Sequence, residues 1–117
     1  MIAFKILLGS ELATLTRSGR FEGTSADLEG GFIHLSSAGQ LDRVVEKHYA
    51  HMADVHLVAV AVDTLGEKIR WETASNGQIF PHLYGALNLT NVISYSPLQR
   101  LPNGSVEIPE LSNDNKL

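Results

Sequence analysis

Two short stretches, Gly31-Phe32-Ile33-His34-Leu35-Ser36 and Phe80-Pro81-His82-Leu83-Tyr84-Gly85, each set a histidine among apolar residues beside a hydroxyl-bearing side chain. Imidazole exchanges protons near neutral pH and can donate to ligand oxygens, so His34 and His82 are candidates for acid–base chemistry or ligand orientation. Ser36 and Tyr84 are candidate ligand contacts beside them. Strand alternation puts Phe32, His34 and Ser36 on one face and Ile33 and Leu35 on the other. Pro81 holds Phe80 extended and Gly85 frees the exit, which pins His82 and Tyr84 on one face. Structural readings compete with these. Either histidine can be a core group satisfied by a backbone carbonyl, and Ser36 can share a helix N-terminus with Ser37. Tyr84 can sit on an edge strand and bond backbone.

A third constellation, Arg70-Trp71-Glu72, brings a cation, an aromatic wall and a carboxylate into adjacent strand positions, with Arg70 and Glu72 opposite Trp71. It reads as a phosphate- or carboxylate-binding arginine beside a catalytic or ribose-binding glutamate, or as a solvated cross-strand ion pair. His48 and His51 share a helix face at i, i+3, with His56 close behind, but no third ligand stands at a recognised spacing, and no metal site is expected. Dinucleotide-fingerprint, phosphate-loop and nucleophile-elbow patterns are all missing from the sequence.

The elements that must position these groups can be read from pattern. Strands are expected near residues 3–8, 32–36, 55–62, 69–73, 92–96 and 105–108. The run 55–62 is almost continuously apolar, as in a central strand covered on both faces. A first helix over 11–18 has Ser10 as its cap and Gly19 as its left-handed stop. Residues 22–31 read as a loop. Ser37 and Gln40 have capping-box spacing ahead of a helix over 38–52. Asn76-Gly77-Gln78 is a turn that could cover a cleft, and Pro102-Asn103-Gly104 marks a late hairpin. The fold expected is a single α+β domain over residues 1–111, with one or two helices on a mixed, mostly antiparallel sheet, and a flexible polar tail over 112–117.

The 117 residues suffice for one hydrophobic core, with 44% apolar and 19% charged side chains. A net charge of −4 argues against non-specific nucleic-acid binding, although a folded patch could gather two or three of Arg17, Arg20, Arg43, Lys47, Lys68, Arg70 and Arg100. The chain has no cysteine, which removes disulfides and thiolate chemistry and fits a reducing compartment. No stretch is long enough to span a bilayer, and residues 1–8 read as a strand rather than a signal peptide, so a cytoplasmic location and no membrane partner are expected.

Gly19-Arg20-Phe21-Glu22-Gly23, Asp27 ahead of the His34 motif, Arg70-Trp71-Glu72 and the His82 motif together resemble the bacterial family called domain of unknown function 952, over nearly the whole chain to about Leu101. That family is grouped by fold with ADP-ribosyltransferase-like proteins, whose split sheet opens a cleft for NAD. The resemblance implies a nucleotide ligand, NAD or ADP-ribose, as cofactor or substrate, with transfer or hydrolysis at the ribose C1″ carbon. Phe32-Ile33-His34-Leu35-Ser36 is also similar to a His-Leu-Ser element of tRNA 2′-phosphotransferases. On this reading His34 fixes ribose hydroxyls, Glu72 stabilises charge at C1″ and His82 serves as acid or base. Arg20 or Arg70 holds a diphosphate, and Trp71 or Tyr84 stacks on a base. A non-catalytic module for a nucleotide or small acidic metabolite is the alternative. The first strand lacks the histidine or arginine with a following glycine that many superfamily members use at the nicotinamide ribose.

Overall fold

A computed structural model describes residues 1–108, and its centre is the apolar run read above as a buried strand. Strand β4 (Val55–Ala61) lies between β1 (Ile2–Leu8) and β8 (Val92–Pro97), antiparallel to both. Its continuous hydrophobicity follows from having a core on each face. Val58 and Val60 pack with Leu7, Leu15, Ile33 and Leu83, whereas Val55, Leu57 and Ala59 pack with Phe4, Ile6, Leu41 and Val45. Helix α1 (Gly9–Ser18) follows β1 directly and buries Leu12 and Leu15. The expected cap at Ser10 is corrected by two residues: Leu8 is the N-cap, and its N–H donates to the Glu11 carboxylate at 2.8 Å. Gly19 ends the helix with φ 76°, as its left-handed role requires.

A two-residue ribbon joins β2 (Arg20–Phe21) to β7 (Leu87–Asn88). A second three-stranded sheet has β6 (Ile79–Leu83) between β3 (Ile33–His34) and β5 (Ile69–Thr73), again all antiparallel. The fold is α+β with mostly antiparallel sheets as expected, and the strand pairings among the described residues are antiparallel.

Pro81 explains how the two main sheets are coupled. β3 pairs with β6 through Ile33↔Leu83 and His34↔His82, and one more bond follows, from Leu35 N–H to the Pro81 carbonyl at 3.1 Å. Proline has no N–H to continue the ladder. The chain peels away there, and Ser36 exchanges backbone bonds of 2.7 and 2.8 Å with Phe4 of β1. The His34 segment therefore bridges the split. The edge-strand reading of the His82 motif is corrected, because β6 is the middle strand of its sheet.

Other boundaries differ for identifiable reasons. The supposed loop 22–31 contains helix α2 (Ser25–Gly30), closed by Thr24 and Asp27 in a capping box and ended by Gly31 at φ 88°. The helix expected over 38–52 is a single 3-10 turn at Ala38–Gln40 followed by α3 (Leu41–His48), because Tyr49 leaves helical geometry with φ −132°. The strand expected over 105–108 is reduced to one bridge, Arg100↔Val106. The expected tail over 112–117 lies outside the described residues. No helix among the described residues is long and apolar enough to cross a membrane.

Candidate functional site

Register alone brings the two motif histidines together. His82 on β6 is the direct partner of His34 on β3 and of Arg70 on β5, so one row across the sheet reads Arg70, His82, His34. Side chains directly opposite on antiparallel strands share a face. The neighbouring row, Ile69, Leu83 and Ile33, points the other way into the core. This sheet thus has an apolar underside that fixes it and an upper face that carries Arg70 and both histidines.

On that face the imidazoles stand with ring centroids 5.7 Å apart. Phe32 lies against both, stacked on His82 at 4.0 Å and tilted toward His34 at 4.5 Å, and it also reaches Tyr84 at 5.2 Å. Each histidine is held at Nδ1 by a carboxylate: His34 by Asp27 Oδ1 at 2.7 Å and His82 by Glu72 Oε1 at 2.8 Å. An ionised carboxylate only accepts hydrogen bonds, so each Nδ1 carries the proton and each neutral ring keeps Nε2 as its free nitrogen. Neither Nε2 is hydrogen bonded within the described residues.

The two carboxylates differ in setting. Asp27, at the start of α2, is buried beside an equally buried Lys5 from β1. Lys5 Nζ reaches Asp27 Oδ2 at 2.8 Å, Asp27 Oδ1 at 3.0 Å and the His34 carbonyl at 3.0 Å, which is the geometry of an ammonium ion. The Thr24 and His34 backbone N–H groups also donate to Asp27, at 2.9 and 3.0 Å. Burial pushes the Asp27 carboxyl up, but the His34 bond, the Lys5 charge and hydrogen bond, and the Thr24 bond outweigh it and hold Asp27 well below the usual carboxylate range. Burial pulls the Lys5 ammonium down, and Asp27 opposes that pull. Glu72 is more open to solvent; hydrogen bonds from Tyr84, at 2.7 Å, and from His82 lower its pKa, and the same carboxylate raises that of the Tyr84 hydroxyl. The Arg70 guanidinium sits over the Tyr84 ring, 4.9 Å from its centroid.

A cavity of about 500 Å³ opens beside this face and includes His34, His82 and Ser36 in its wall, a size ordinary for a small-molecule site. Arg43 and Lys47, one turn apart on α3, also line it. Neither has a carboxylate partner among the described residues. Phe80 and Tyr49 give it aromatic wall, and Ser75 and Asn76 of the β5–β6 turn form part of its rim. That turn is the one read above as a possible cover. A hollow of about 280 Å³ near Tyr49, His56 and Arg100 contains neither His34 nor His82.

The expected site residues thus separate into groups. His34, His82 and Ser36 line the cavity, although Ser36 is buried and its backbone joins the sheets. Glu72, Arg70 and Tyr84 lie on the same sheet face outside the cavity wall, where Glu72 anchors two rings and Tyr84 bonds that carboxylate rather than backbone. Trp71 is on the opposite face and exposed. Arg20 is on the β2–β7 ribbon, paired with Glu22 at 2.6 Å, away from the cavity. Sequence reasoning missed Asp27 and Lys5 as a buried ion pair beneath His34. The signal was a lone lysine on the core-facing positions of an apolar strand, which demands a buried acid. Among the described residues no group of three His, Asp or Glu side chains is arranged to hold a metal ion.

Two glycines leave room for this arrangement. A Cβ on Gly30 would stand 3.2 Å from His34 Cε1. Gly23 has φ 130°, and a Cβ there would be 2.9 Å from the Asp27 Cβ. Gly23→Ala is therefore expected to cost more than about 1 kcal/mol through backbone strain and displacement of Asp27. Urea unfolding checks this, and a stability equal to that of the parent protein would refute it.

The family described as "Protein of unknown function (DUF952)" matches residues 6–95. The chain belongs to this family. Protein CC0527 from Caulobacter crescentus, by crystallography, is 34% identical over 100% of both chains with a TM-score of 0.83. Its solution NMR structure gives 36% identity and a TM-score of 0.78 over 97% of this chain and 95% of that one. No curated protein matches the chain. The DUF952 match takes in His34, Glu72, His82, Asp27, Arg43 and Lys47, with Lys5 just before its start.

Proposed function

We propose that the cavity between α3 and the histidine-bearing sheet binds a phosphate-bearing nucleotide of the NAD or ADP-ribose class. The observation that carries this reading is the pair of cations on α3, Arg43 and Lys47, lining the same cavity as the two carboxylate-held imidazoles. Lys5 is neutralised by Asp27, so the charge available to a ligand comes from α3. Arg43 offers a planar fork to phosphate oxygens and Lys47 a point charge beside it. His34 Nε2 suits ribose hydroxyls, and Phe80 and Tyr49 offer flat apolar surface to a base. The resemblance to ADP-ribosyltransferase-like proteins favours a dinucleotide over simpler anions. Arg20 is replaced in the anion-binding role because it lies away from the cavity.

One observation disfavours chemistry at C1″. Glu72, the carboxylate read as acting at C1″, has its Oε1 engaged by both His82 and Tyr84 and lies outside the cavity wall. Calorimetry with NAD, ADP-ribose and nicotinamide tests the binding reading. Heat is expected with the first two and not with nicotinamide alone, and no heat with any would overturn it. Arg43→Glu combined with Lys47→Glu is expected to weaken ADP-ribose binding at least about tenfold. Chromatography for nicotinamide released from NAD separates a glycohydrolase from a binder.

A further inference from the structure

We propose that His34 and His82 form a general acid–base pair that hydrolyses a cyclic phosphodiester, with nucleoside 2′,3′-cyclic phosphates as the substrate class. This rests on the reading of the cavity as a site for a phosphate-bearing nucleotide, and it moves the chemistry from the ribose C1″ carbon to phosphorus.

The argument starts from what the sheet does to the two rings. Their register makes them direct cross-strand neighbours, and their centroids are 5.7 Å apart. Each Nδ1 is fixed on a carboxylate and each Nε2 is left without a protein partner among the described residues. Like His56, whose Nε2 is on Asp54, these two spend one nitrogen on a carboxylate; unlike His56, both belong to the wall of the cavity that Arg43 and Lys47 also line. Carboxylate, imidazole and free Nε2 in sequence is the arrangement that orients a proton-transfer group and stabilises its charged form. In-line displacement at phosphorus requires two such groups, one to take a proton from the nucleophile and one to give a proton to the leaving oxygen, and here they stand with ring centroids 5.7 Å apart.

The environments divide the roles. His34 has a half-exposed side chain, at 47%, and its Asp27 partner is already paired with Lys5. His34 meets solvent and serves as the base that accepts a proton from water at Nε2. His82, with a side chain 9% exposed beneath Phe32 and backed by Glu72, is the enclosed acid. Water oxygen forms the new P–O bond as its proton passes to His34. One ring P–O bond breaks, and the departing sugar oxygen takes a proton from His82 Nε2, a role that His82 fills in its imidazolium form, with Nδ1–H on Glu72. One water is consumed, a nucleoside monophosphate is produced, and the proton on His34 returns to His82 through solvent. Arg43 and Lys47 face the non-bridging oxygens, where negative charge accumulates.

The cyclic ester is chosen because proton transfer and charge neutralisation are what these side chains supply. A five-membered phosphate ring is strained, so its P–O bond yields to that help far more readily than an open diester does. The cavity suits a mononucleotide in size, and the net charge of −4 disfavours a polynucleotide.

The test follows the four nucleoside 2′,3′-cyclic phosphates by phosphorus NMR with the full-length protein, alongside 2′- and 3′-monophosphates and an open dinucleotide. Ring opening to a single monophosphate isomer is expected, with no turnover of the monophosphates or the open dinucleotide. His34→Gln and His82→Gln, each with its unfolding midpoint checked, should lower kcat at least about a hundredfold. No ring opening with any of the four overturns the inference, and the calorimetric result with ADP-ribose then shows separately whether the binding reading stands. Ring opening that survives both substitutions in a folded protein also overturns it.

Discussion

Asp27→Asn is expected to destabilise the protein by about 3–5 kcal/mol, the cost of leaving a buried charge without its partner. The carboxylate accepts from Lys5 at both oxygens, from the Thr24 and His34 backbone N–H groups and from His34 Nδ1. An amide cannot replace it, because its NH₂ group turns a donor toward donors and its neutral oxygen leaves the buried Lys5 ammonium uncompensated. A fall of roughly 10–20 °C in the unfolding midpoint follows for a chain of this size. Lys5→Met combined with Asp27→Leu removes both charges and should recover part of the loss. Full recovery is not expected, since the Thr24 and His34 N–H groups are left unsatisfied. The pH dependence has a defined sign. Asp27 has a folded pKa depressed below its unfolded value of about 3.9, so its contribution is fully present above that pH and is lost as pH falls through the folded value. The gap between parent and Asp27→Asn should therefore be widest near neutrality and narrow below about pH 4. Equal denaturation midpoints at pH 7 would show that Asp27 does not hold the site together.

How legible this site was in the sequence depends on the distance over which each part acts. β4 was legible because a continuous apolar run needs a core on both faces, and both cores exist. The His34 motif was legible as a strand, the His82 motif only as a strand-like run outside the strands expected by pattern, and the side-chain alternation of both holds. Their partnership was not, because His34 and His82 are direct neighbours only through a register set by long-range pairing and ended by Pro81. Helix α2 escaped because it is a six-residue element between glycines, although Thr24 and Asp27 carried its capping signal. Arg43 and Lys47 were visible only as scattered basic residues; placing α3 beside the histidine sheet turned them into one side of a cavity. Arg20 and Trp71 show the reverse. Their chemistry suited a nucleotide, but sheet topology sends one to a separate ribbon and the other to the opposite face.

The position of both imidazoles depends on Phe32, and Phe32→Ala is expected to loosen them while costing about 2 kcal/mol, less than a fully buried phenylalanine would because the ring is half-buried. The ring stacks on His82 with planes 22° apart and fills the space between it, His34 and Tyr84. Hydrogen bonds to Asp27 and Glu72 fix one nitrogen of each histidine but leave rotation about that contact, and Phe32 blocks the rotation. Removing it leaves the carboxylate bonds available and takes away the wall, so the order of the rings should fall further than the fold does. Ring protons lying over an aromatic face are shielded, which gives a direct measure. In Phe32→Ala the His82 ring signals should move downfield and broaden, with His34 following to a smaller degree because its ring is only tilted toward Phe32. Phe32→Leu restores apolar volume without the flat face, so it should regain most of the stability but not the shielding of His82. His82 signals unchanged in both variants would mean that the carboxylates alone position the pair.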